Sequence, residues 1–240
     1  MIGPKRLIKR LLHAAGFDVT RIDRQPARGP LNPLCQHRID LVFDIGANAG
    51  QYALLARRQG YRGVIVSFEP VPAAHEMLAR NAESDPLWTV HPRCALGAER
   101  GVAEINIAGN SYSSSLLPML SAHSDAAPES AYVDRVATDV CTLDEVFPRY
   151  RSSSERVLVK IDTQGFEAEV LRGARDSLCD VAAVELELSL VPLYEKQELY
   201  DYFLRLFSEQ GFQLWSLSPV FSDPRTGQTL QVDGFFVRRG

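Results

Sequence analysis

Apolar runs alternate with amphipathic stretches along most of this chain, and that alternation predicts an α/β fold. The runs predict core strands at 41–45, 63–69, 88–95, 157–162 and 181–187. Helices are predicted between and after them, at 52–59, 72–82, about 165–178 and 195–210. Because strands that alternate with helices pair in parallel, we expect a mostly parallel sheet with helices on both faces. Two last strands, at 212–218 and 231–238, are expected to form a hairpin in which the final strand inserts antiparallel.

The turn after the first strand has the composition of a nucleotide site. Asp44 closes the strand, Gly46 and Gly50 bracket a tight turn, and helix-forming residues follow. A dinucleotide loop needs glycine at three set positions, and Asn48 and Gln51 occupy the second and third of them. A carboxylate at the strand end would also repel phosphate, whereas it could pair with an ammonium group. The pattern therefore favours a ligand with a ribose and an amino-acid end but no phosphate, which describes S-adenosylmethionine.

The second strand supports this interpretation. It ends at Glu69, about twenty residues after the glycines, the spacing at which an acidic side chain binds a ribose diol. The alternative is that Asp44 caps a helix and Glu69 lies on a solvated edge. Ala95 and Leu96 follow a predicted strand, so they lie either beside an adenine or simply in the core. The residues predicted to bind the cofactor are Asp44, Gly46, Ala47, Asn48, Gly50, Gln51, Tyr52, Glu69, Pro70, Ala95, Leu96 and Asp162.

Charged residues interrupt two strands that should otherwise be apolar. Lys160 and Asp162 are two apart on one strand and face the same side, as do Glu185 and Glu187 on the next. Their burial is costly unless they pair or serve chemistry, and open α/β sheets bind ligands at these strand ends. The alternative is a structural ion pair between Lys160 and Glu185. Asp162, Glu185 and His123 are the candidate general bases, although Asp162 beside a lysine is weakly basic and could instead orient a group or bind a metal.

A long polar loop follows residues 102–108, which alternate like an edge strand or half of a hairpin. Loops of this length are usually functional lids or disordered segments, and both alternatives stay open. The hydroxyl groups and the imidazole of His123 suit hydrogen bonding to a polyhydroxyl acceptor. The residues predicted to bind the acceptor are Ser113, Ser114, Ser115, Lys160 and Gln164.

Composition excludes several classes of protein. The net charge of −4 argues against a general nucleic-acid binder. Apolar runs are too short to span a bilayer and no signal core begins the chain, so a cytoplasmic protein is expected. The four cysteines lie far apart without a C-x-x-C pair, which predicts buried thiols and neither a zinc site nor a disulfide framework. No metal site is predicted.

The first residues predict a short amphipathic helix. From Lys5 to Ala15, basic residues share one face and apolar residues share the other. The apolar face would dock on the domain, or the helix would make weak contact with the inner membrane surface. A linker rich in proline and charge follows, so the chain is predicted to divide into residues 1–38, which hold the helix and linker, and the domain at residues 39–240.

Five segments together resemble the FkbM-type S-adenosylmethionine-dependent methyltransferases, over roughly residues 41–238. They are FDIGANAG at 43–50, FEP at 68–70, ALG at 95–97, KIDTQGFE at 160–167 and QVDGFFV at 231–237. The KID segment is the most diagnostic, because many other methyltransferases share the glycine motif. Gln164 departs from the pattern, since many members have Glu at that position.

The resemblance implies a class I methyltransferase with a Rossmann-like sheet and with S-adenosylmethionine as its cofactor. It also implies O-methylation of a small molecule, often a sugar hydroxyl of a glycolipid, a polysaccharide or an antibiotic. The alternatives are methyl transfer to a non-sugar hydroxyl or to nitrogen, and a catalytically inactive fold that only binds the cofactor or a partner. The intact Asp44 and Glu69 argue against an inactive fold.

Overall fold

In a computed structural model, which describes residues 32–153 and 155–239, the apolar runs form two sheets. The strands are β1 (Leu41–Ile45), β2 (Val64–Phe68), β3 (Trp88–Val90), β4 (Ala95–Leu96), β5 (Gly101–Ala108), β6 (Tyr132–Cys141), β7 (Val157–Ile161), β8 (Val181–Ser189), β9 (Phe212–Ser222) and β10 (Thr229–Arg238). The main sheet has the order β3-β2-β1-β7-β8-β10-β9, and the smaller one has the order β4-β6-β5. In the main sheet β10 runs antiparallel to both of its neighbours, β8 and β9, and the other neighbouring strands pair in parallel. The predicted α/β fold with an antiparallel last strand is therefore confirmed.

Helices cover both faces of the main sheet. They are α1 (Pro33–Gln36), α2 (Gln51–Arg58), α3 (Pro72–Ala82), α4 (Ser121–Ala126), α5 (Leu143–Tyr150), α6 (Glu167–Arg172) and α7 (Tyr200–Glu209), with 3₁₀ turns at Pro128–Ser130 and Ser177–Asp180. Val42 of β1 packs in a cluster with Leu78 of α3, whereas Phe43 packs with Phe147 of α5 and Phe203 of α7. Since successive strand residues point to opposite faces, these two clusters are the two halves of the core.

Short local signals determine where helices begin. Asn32 Oδ1 accepts a hydrogen bond from Leu34 N, and Pro33 takes the first position of α1, where no N–H is needed. Thr142 precedes α5 and forms a capping box with Glu145, in which each side chain bonds to the other residue's backbone N–H. The first N–H groups of both helices thereby find acceptors.

Three sequence-based boundaries are wrong. The strand predicted at 88–95 is split between the two sheets, because Pro92 follows β3 and has no N–H to donate to a ladder. The helix predicted from 195 begins only at Tyr200, since Lys196 has a left-handed φ of 59° that a helix excludes. The helix predicted to reach residue 178 ends at Arg172, and Gly173 follows it.

The long polar loop folds back onto β5. Asn106 and Ser115 exchange backbone hydrogen bonds, and Asn106 Nδ2 also donates to Ser115 O at 3.0 Å. The loop continues into α4 and returns as β6, which pairs antiparallel with β5. This arrangement carries the serines of the loop to the carboxyl ends of the main strands.

Several predictions are only partly addressed by the structure. The four cysteines are free thiols as predicted, but only Cys94 is fully buried, while Cys35 and Cys179 are exposed. Within residues 32–153 and 155–239, no helix is long and apolar enough to cross a membrane. The amphipathic helix predicted at residues 5–15 lies outside the described residues. Its membrane contact, the boundary at residue 38 and the cytoplasmic location therefore stay predictions.

Candidate active site

A cavity of about 370 Å³ opens at the carboxyl ends of β1, β2, β7 and β8. Ligands bind at this edge in open α/β sheets, and the volume lies in the range of small-molecule sites. One part of the wall is apolar and includes Phe68, Val71, Leu96 and Ile105. Another part is polar and carries carboxyl, amide and hydroxyl groups from β7, β8, β10 and nearby loops, including the one after β5.

The turn after β1 requires glycine because two strands converge on it. Gly46 has a φ of 78°, and a Cβ at this position would overlap the carbonyl oxygen of Asp162. The backbone N–H groups of Gly46 and Ala47 both donate to Phe68 O at 3.0 Å, which ties the turn to the end of β2. Gly50 has a different role, since it begins α2 with a φ of 88° and packs against the ring of Trp88, away from the cavity wall.

Glu69 joins this turn to the start of α3. Its Oε2 accepts from Asn48 N at 2.7 Å and its Oε1 accepts from Val71 N at 2.8 Å. The side chain is buried and lines the cavity, so the solvated-edge alternative is wrong. Burial raises the pKa of Glu69 to about 7, against the effect of these two hydrogen bonds. Each carboxylate oxygen keeps a lone pair that could accept a ribose hydroxyl.

A row of polar side chains crosses the main sheet beneath the cavity. The strand register places Ser67, Asp44, Lys160 and Glu185 side by side on β2, β1, β7 and β8. Lys160 Nζ lies 3.6 Å from Asp44 Oδ1 and 3.2 Å from Asp162 Oδ2. Glu185 Oε2 instead accepts from the hydroxyl group of Tyr52 at 2.8 Å. The direct ionic partners of the lysine are thus the two aspartates, and the predicted pair with Glu185 is not formed.

Asp44 lies within the sheet and not at a helix start, so the capping alternative is wrong. Its side chain is fully buried and is not part of the cavity wall. Burial raises the pKa of Asp44, and the nearby Lys160 opposes that rise. Burial would lower the pKa of Lys160, but the attraction of Asp162 and Asp44 outweighs it and raises that pKa. The ammonium nearest to Asp44 is therefore that of Lys160.

Amide groups hold the carboxyls at the polar end of the cavity. Gln164 Nε2 donates to Asp162 Oδ1 at 2.8 Å and to Glu187 Oε2 at 2.9 Å. Gln231 Nε2 donates to the same Glu187 oxygen at 2.6 Å. Asp233 faces Glu187 across the pair of β8 and β10, and both side chains line the cavity. Among the described residues, no group of three carboxyl, imidazole or thiol side chains has a geometry that could hold a metal ion.

Most of the residues predicted for the site lie in the cavity wall. From the predicted cofactor set the wall contains Gly46, Ala47, Asn48, Gln51, Tyr52, Glu69, Pro70, Ala95, Leu96 and Asp162. From the predicted acceptor and catalytic sets it contains Ser114, Ser115, Lys160, Gln164 and Glu185. Ala95 and Leu96 are both buried and part of the apolar wall, which suits a flat aromatic ring.

Two further predicted residues lie away from the cavity wall, besides Asp44 and Gly50. Ser113 is buried behind the wall, where its Oγ accepts from Asn110 Nδ2 at 3.1 Å. His123 is buried between the rings of Tyr194 and Phe221, each with its centroid 5.2 Å away. Burial lowers the pKa of His123 to about 4, so the imidazole stays neutral. His123, one of the three candidate bases, therefore does not reach the cavity, because α4 turns its ring into an apolar cluster.

Sequence reasoning missed other parts of the wall. Asp233 and the apolar residues Val71 and Ile105 line the cavity but were not predicted there. The sequence pattern marks Glu187 as a charge within a strand and assigns it no role. The two-residue spacing of Glu185 and Glu187 was the available signal, since it places both on one face of β8.

Comparison with known proteins identifies the family. Residues 44–214, which are more than half of the 240-residue chain, match the model of the Methyltransferase FkbM domain. The chain is a member of the FkbM methyltransferase family. The family depends on S-adenosylmethionine, which is therefore the cofactor. The recognition of this family from the sequence is confirmed.

Individual relatives are distant. The chain is 28% identical over 158 residues to Methyltransferase 1 of Beauveria bassiana, covering 60% of this chain and 64% of that one. It is 26% identical over 163 residues to 31-O-demethyl-FK506 methyltransferase FkbM of Streptomyces tacrolimicus, covering 58% and 60%. It is 24% identical over 149 residues to hexuronic acid methyltransferase AglP of Haloferax volcanii, covering 62% and 56%. The matched regions thus span less than two thirds of each of these three relatives.

The cavity of this family member fits S-adenosylmethionine. The apolar wall could hold the adenine, and Glu69 could accept hydrogen bonds from the ribose. Asp162 lines the cavity beside Lys160, where the amino-acid part could lie, and Asn48 is also part of the wall. When bound, the cofactor supplies a methyl group that the positive sulfonium has already activated.

The pKa of Glu69 leads to a prediction for cofactor binding. We expect the affinity for S-adenosylhomocysteine to be about tenfold lower at pH 6 than at pH 8, since a carboxyl with a pKa near 7 is mostly protonated at pH 6. Ribose hydroxyls donate to the ionised form, so binding should release a proton in this range. Titration calorimetry in buffers of different ionisation enthalpy measures both effects. Glu69→Gln should bind more weakly at pH 8 and lose the pH dependence, whereas a flat affinity in the unchanged protein would contradict the assignment.

Proposed function

We propose that this methyltransferase transfers a methyl group to a hydroxyl of a small glycosyl acceptor. The observation that carries the proposal is the polar end of the cavity, which adjoins the predicted cofactor residues and presents carboxyl, amide and hydroxyl groups. Such groups hydrogen-bond the several hydroxyls of a sugar. The names of two relatives, a hexuronic acid methyltransferase and a 31-O-demethyl-FK506 methyltransferase, agree with small acceptors.

The proposed reaction places three demands on the chain. The residues of the cavity must align the acceptor oxygen with the methyl group, exclude water and take the hydroxyl proton. Asp162 has both of its oxygens engaged, one by Lys160 and the other by Gln164. Because both oxygens already accept hydrogen bonds, Asp162 is better suited to orienting the reactants than to taking the proton.

Charge at the polar end indicates which sugars fit. Asp162, Glu185, Glu187 and Asp233 line it, and the one cation of the described wall, Lys160, is already paired. A uronic acid would bring another carboxylate among these groups, at a Coulomb cost of about 1–4 kcal/mol for each close contact with an ionised carboxylate. The acceptor is therefore a neutral sugar. A lipid-linked sugar would lie at a membrane surface, where the basic helix predicted at residues 5–15 would favour contact.

A set of matched acceptors tests the function. The purified protein would be given S-adenosylmethionine with a neutral methyl hexoside, the corresponding uronate and the corresponding amino sugar, and with glycolipid and polysaccharide extracts. We expect O-methylation of a neutral sugar, and transfer to the uronate at least about tenfold slower because of the charge repulsion. Mass spectrometry and NMR of the product identify the methylated atom, and Glu69→Ala provides the control for binding of the cofactor.

Two results would contradict the proposal. Methylation of the amino sugar at nitrogen, without transfer to any hydroxyl, would assign the alternative N-methyltransferase activity. Preference for the uronate would show that the carboxyls of the cavity are neutral when the acceptor binds. The expectation that nucleic acids are not acceptors stays a prediction, and an RNA arm of the same assay tests it.

A further inference from the structure

The two carboxyl oxygens of Glu187 differ: two amide groups hold one of them, and the other accepts no hydrogen bond within the described residues. Its Oε2 accepts two hydrogen bonds, from Gln164 Nε2 at 2.9 Å and from Gln231 Nε2 at 2.6 Å. Among the described residues no donor bonds to its Oε1, and the side chain lines the polar end of the cavity. Amide N–H groups can only donate, so Oε2 cannot be the atom that carries a proton. Any proton that this carboxyl takes up must therefore sit on Oε1.

The two amides are themselves held in place. The hydroxyl of Tyr194 donates to Gln164 Oε1 at 2.8 Å, which turns the Nε2 of Gln164 toward the carboxyls. Gln164 also has a φ of 54°, in the left-handed region that residues other than glycine rarely adopt. Gln231 uses its second N–H on Ser189 Oγ at 3.3 Å. Backbone strain of this kind is retained where the surrounding structure needs the side chain in one place.

The surroundings of Glu187 favour the protonated form of its carboxyl. Burial raises its pKa well above the usual range, and repulsion from Asp162, Glu167 and Asp233 adds to the rise, while Lys160 opposes it. Burial likewise raises the pKa of Asp233, which faces it, to about 7. Glu185, on the same strand, lies beside Lys160 in the register and accepts from Tyr52. Asp162 is engaged at both oxygens, and no donor among the described residues orients Asp233. Of these carboxyls Glu187 is the one that two donors hold at one oxygen while its other oxygen accepts no bond within the described residues.

We propose that Glu187 is the general base of the methyl transfer and that Gln164 and Gln231 are its positioning residues. This inference rests on the proposed function. The acceptor oxygen forms a bond to the methyl carbon while the carbon–sulfur bond breaks and its electron pair stays on sulfur. The hydroxyl proton passes to Oε1 of the ionised Glu187, which becomes neutral as the sulfonium charge disappears. The proton leaves to solvent with the release of product, and the carboxylate is restored.

The test uses the full chain and compares three variants of this cluster. Glu187→Gln should lower kcat by about 10²-fold or more and change the Kd of S-adenosylhomocysteine by less than about threefold. The kcat of the unchanged protein should fall at low pH as the base is protonated. This fall is the acidic limb of the pH–rate profile, and Glu187→Gln should lack that limb. Glu187→Asp should keep the limb with an intermediate kcat. Gln231→Leu removes a donor that favours the ionised form, so its limb should move to higher pH, which a purely structural role would not produce.

Glu104→Gln provides the matched control, because Glu104 is exposed on β5 and should leave kcat and its pH profile unchanged. A Glu187→Gln protein with normal kcat, or with an unchanged low-pH limb, would overturn the assignment. If that variant does not fold, the shift in Gln231→Leu decides the question, and an unshifted limb overturns it. If the wild-type protein forms O-methyl product and Glu187→Gln forms it equally fast, only the assignment of Glu187 as the base is refuted. If the wild-type protein forms no O-methyl product, the proposed function is refuted as well.

Discussion

Replacing Gly46 with Ala is expected to abolish binding of S-adenosylhomocysteine and to lower the free energy of unfolding by about 3 kcal/mol or more. The new Cβ would overlap the carbonyl oxygen of Asp162, and backbone atoms cannot rotate away as a side chain does. Overpacking of this kind costs about 1–3 kcal/mol, and a left-handed φ adds about 1–2 kcal/mol for a residue with a Cβ. The turn and the end of β7 must separate, which displaces Asp162 from the cavity wall.

Gly60→Ala is the matched control for this substitution. Gly60 also has a left-handed φ, of 93°, but a Cβ there would meet no atom within 4 Å. The Gly60→Ala protein should therefore lose only the free energy of unfolding that the left-handed φ costs, about 1–2 kcal/mol. It should bind S-adenosylhomocysteine normally. Urea denaturation and titration calorimetry on both variants separate the overlap from the backbone strain. Equal losses in the two proteins would show that Gly46 is needed only for its φ.

Lys160→Met is expected to reduce stability by about 3–5 kcal/mol at pH 8 and by clearly less at pH 5. The side chain of Asp44 is 0% exposed, and Lys160 is the cation nearest to it. Without the lysine the pKa of Asp44 rises further above its ordinary value. At pH 8 the folded protein must either bury the Asp44 carboxylate without a cation or protonate it far above its ordinary pKa, and both cost free energy. At pH 5 protonation of the carboxyl costs much less. The stability difference between the two proteins should therefore shrink as the pH falls.

Lys196→Met tests whether loss of a lysine alone has this effect. Lys196 is exposed, so its replacement should change stability by less than about 0.5 kcal/mol at either pH. Chemical denaturation of wild type and both variants at pH 5 and pH 8 gives the comparison. A loss in Lys160→Met that does not depend on pH would mean that packing of the long side chain, and not its charge, holds the polar row together.

The parts of the site that sequence could predict lie close together along the chain. Gly46, Asn48 and Glu69 belong to two successive strand–turn–helix units, where turn chemistry and strand period determine what faces the ligand. The two-residue spacing of Lys160 and Asp162 likewise predicts that both lie on one face of a strand, without any information on the neighbouring strands. Local patterns of this kind carry over into the fold because they depend on neighbours only a few residues away.

The parts that could not be predicted depend on register between distant strands. Asp233 reaches Glu187 only because β10 inserts beside β8, and which residues then face each other depends on pairing that local sequence does not specify. The position of His123 depends on whether its ring meets solvent or the rings of Tyr194 and Phe221. The late start of α7 follows from the backbone conformation of Lys196, a residue with no turn preference of its own.

The insertion of β10 between β8 and β9 also bears on the synthesis of the protein. The strands that carry the predicted cofactor residues leave the ribosome early, whereas β10 is the last strand of the described chain. Until β10 emerges, no strand lies between β8 and β9, and the polar end of the cavity lacks Gln231 and Asp233. A nascent chain would therefore have most of its cofactor pocket before it could align an acceptor. Translation thus completes the proposed acceptor end of the cavity after most of the cofactor pocket.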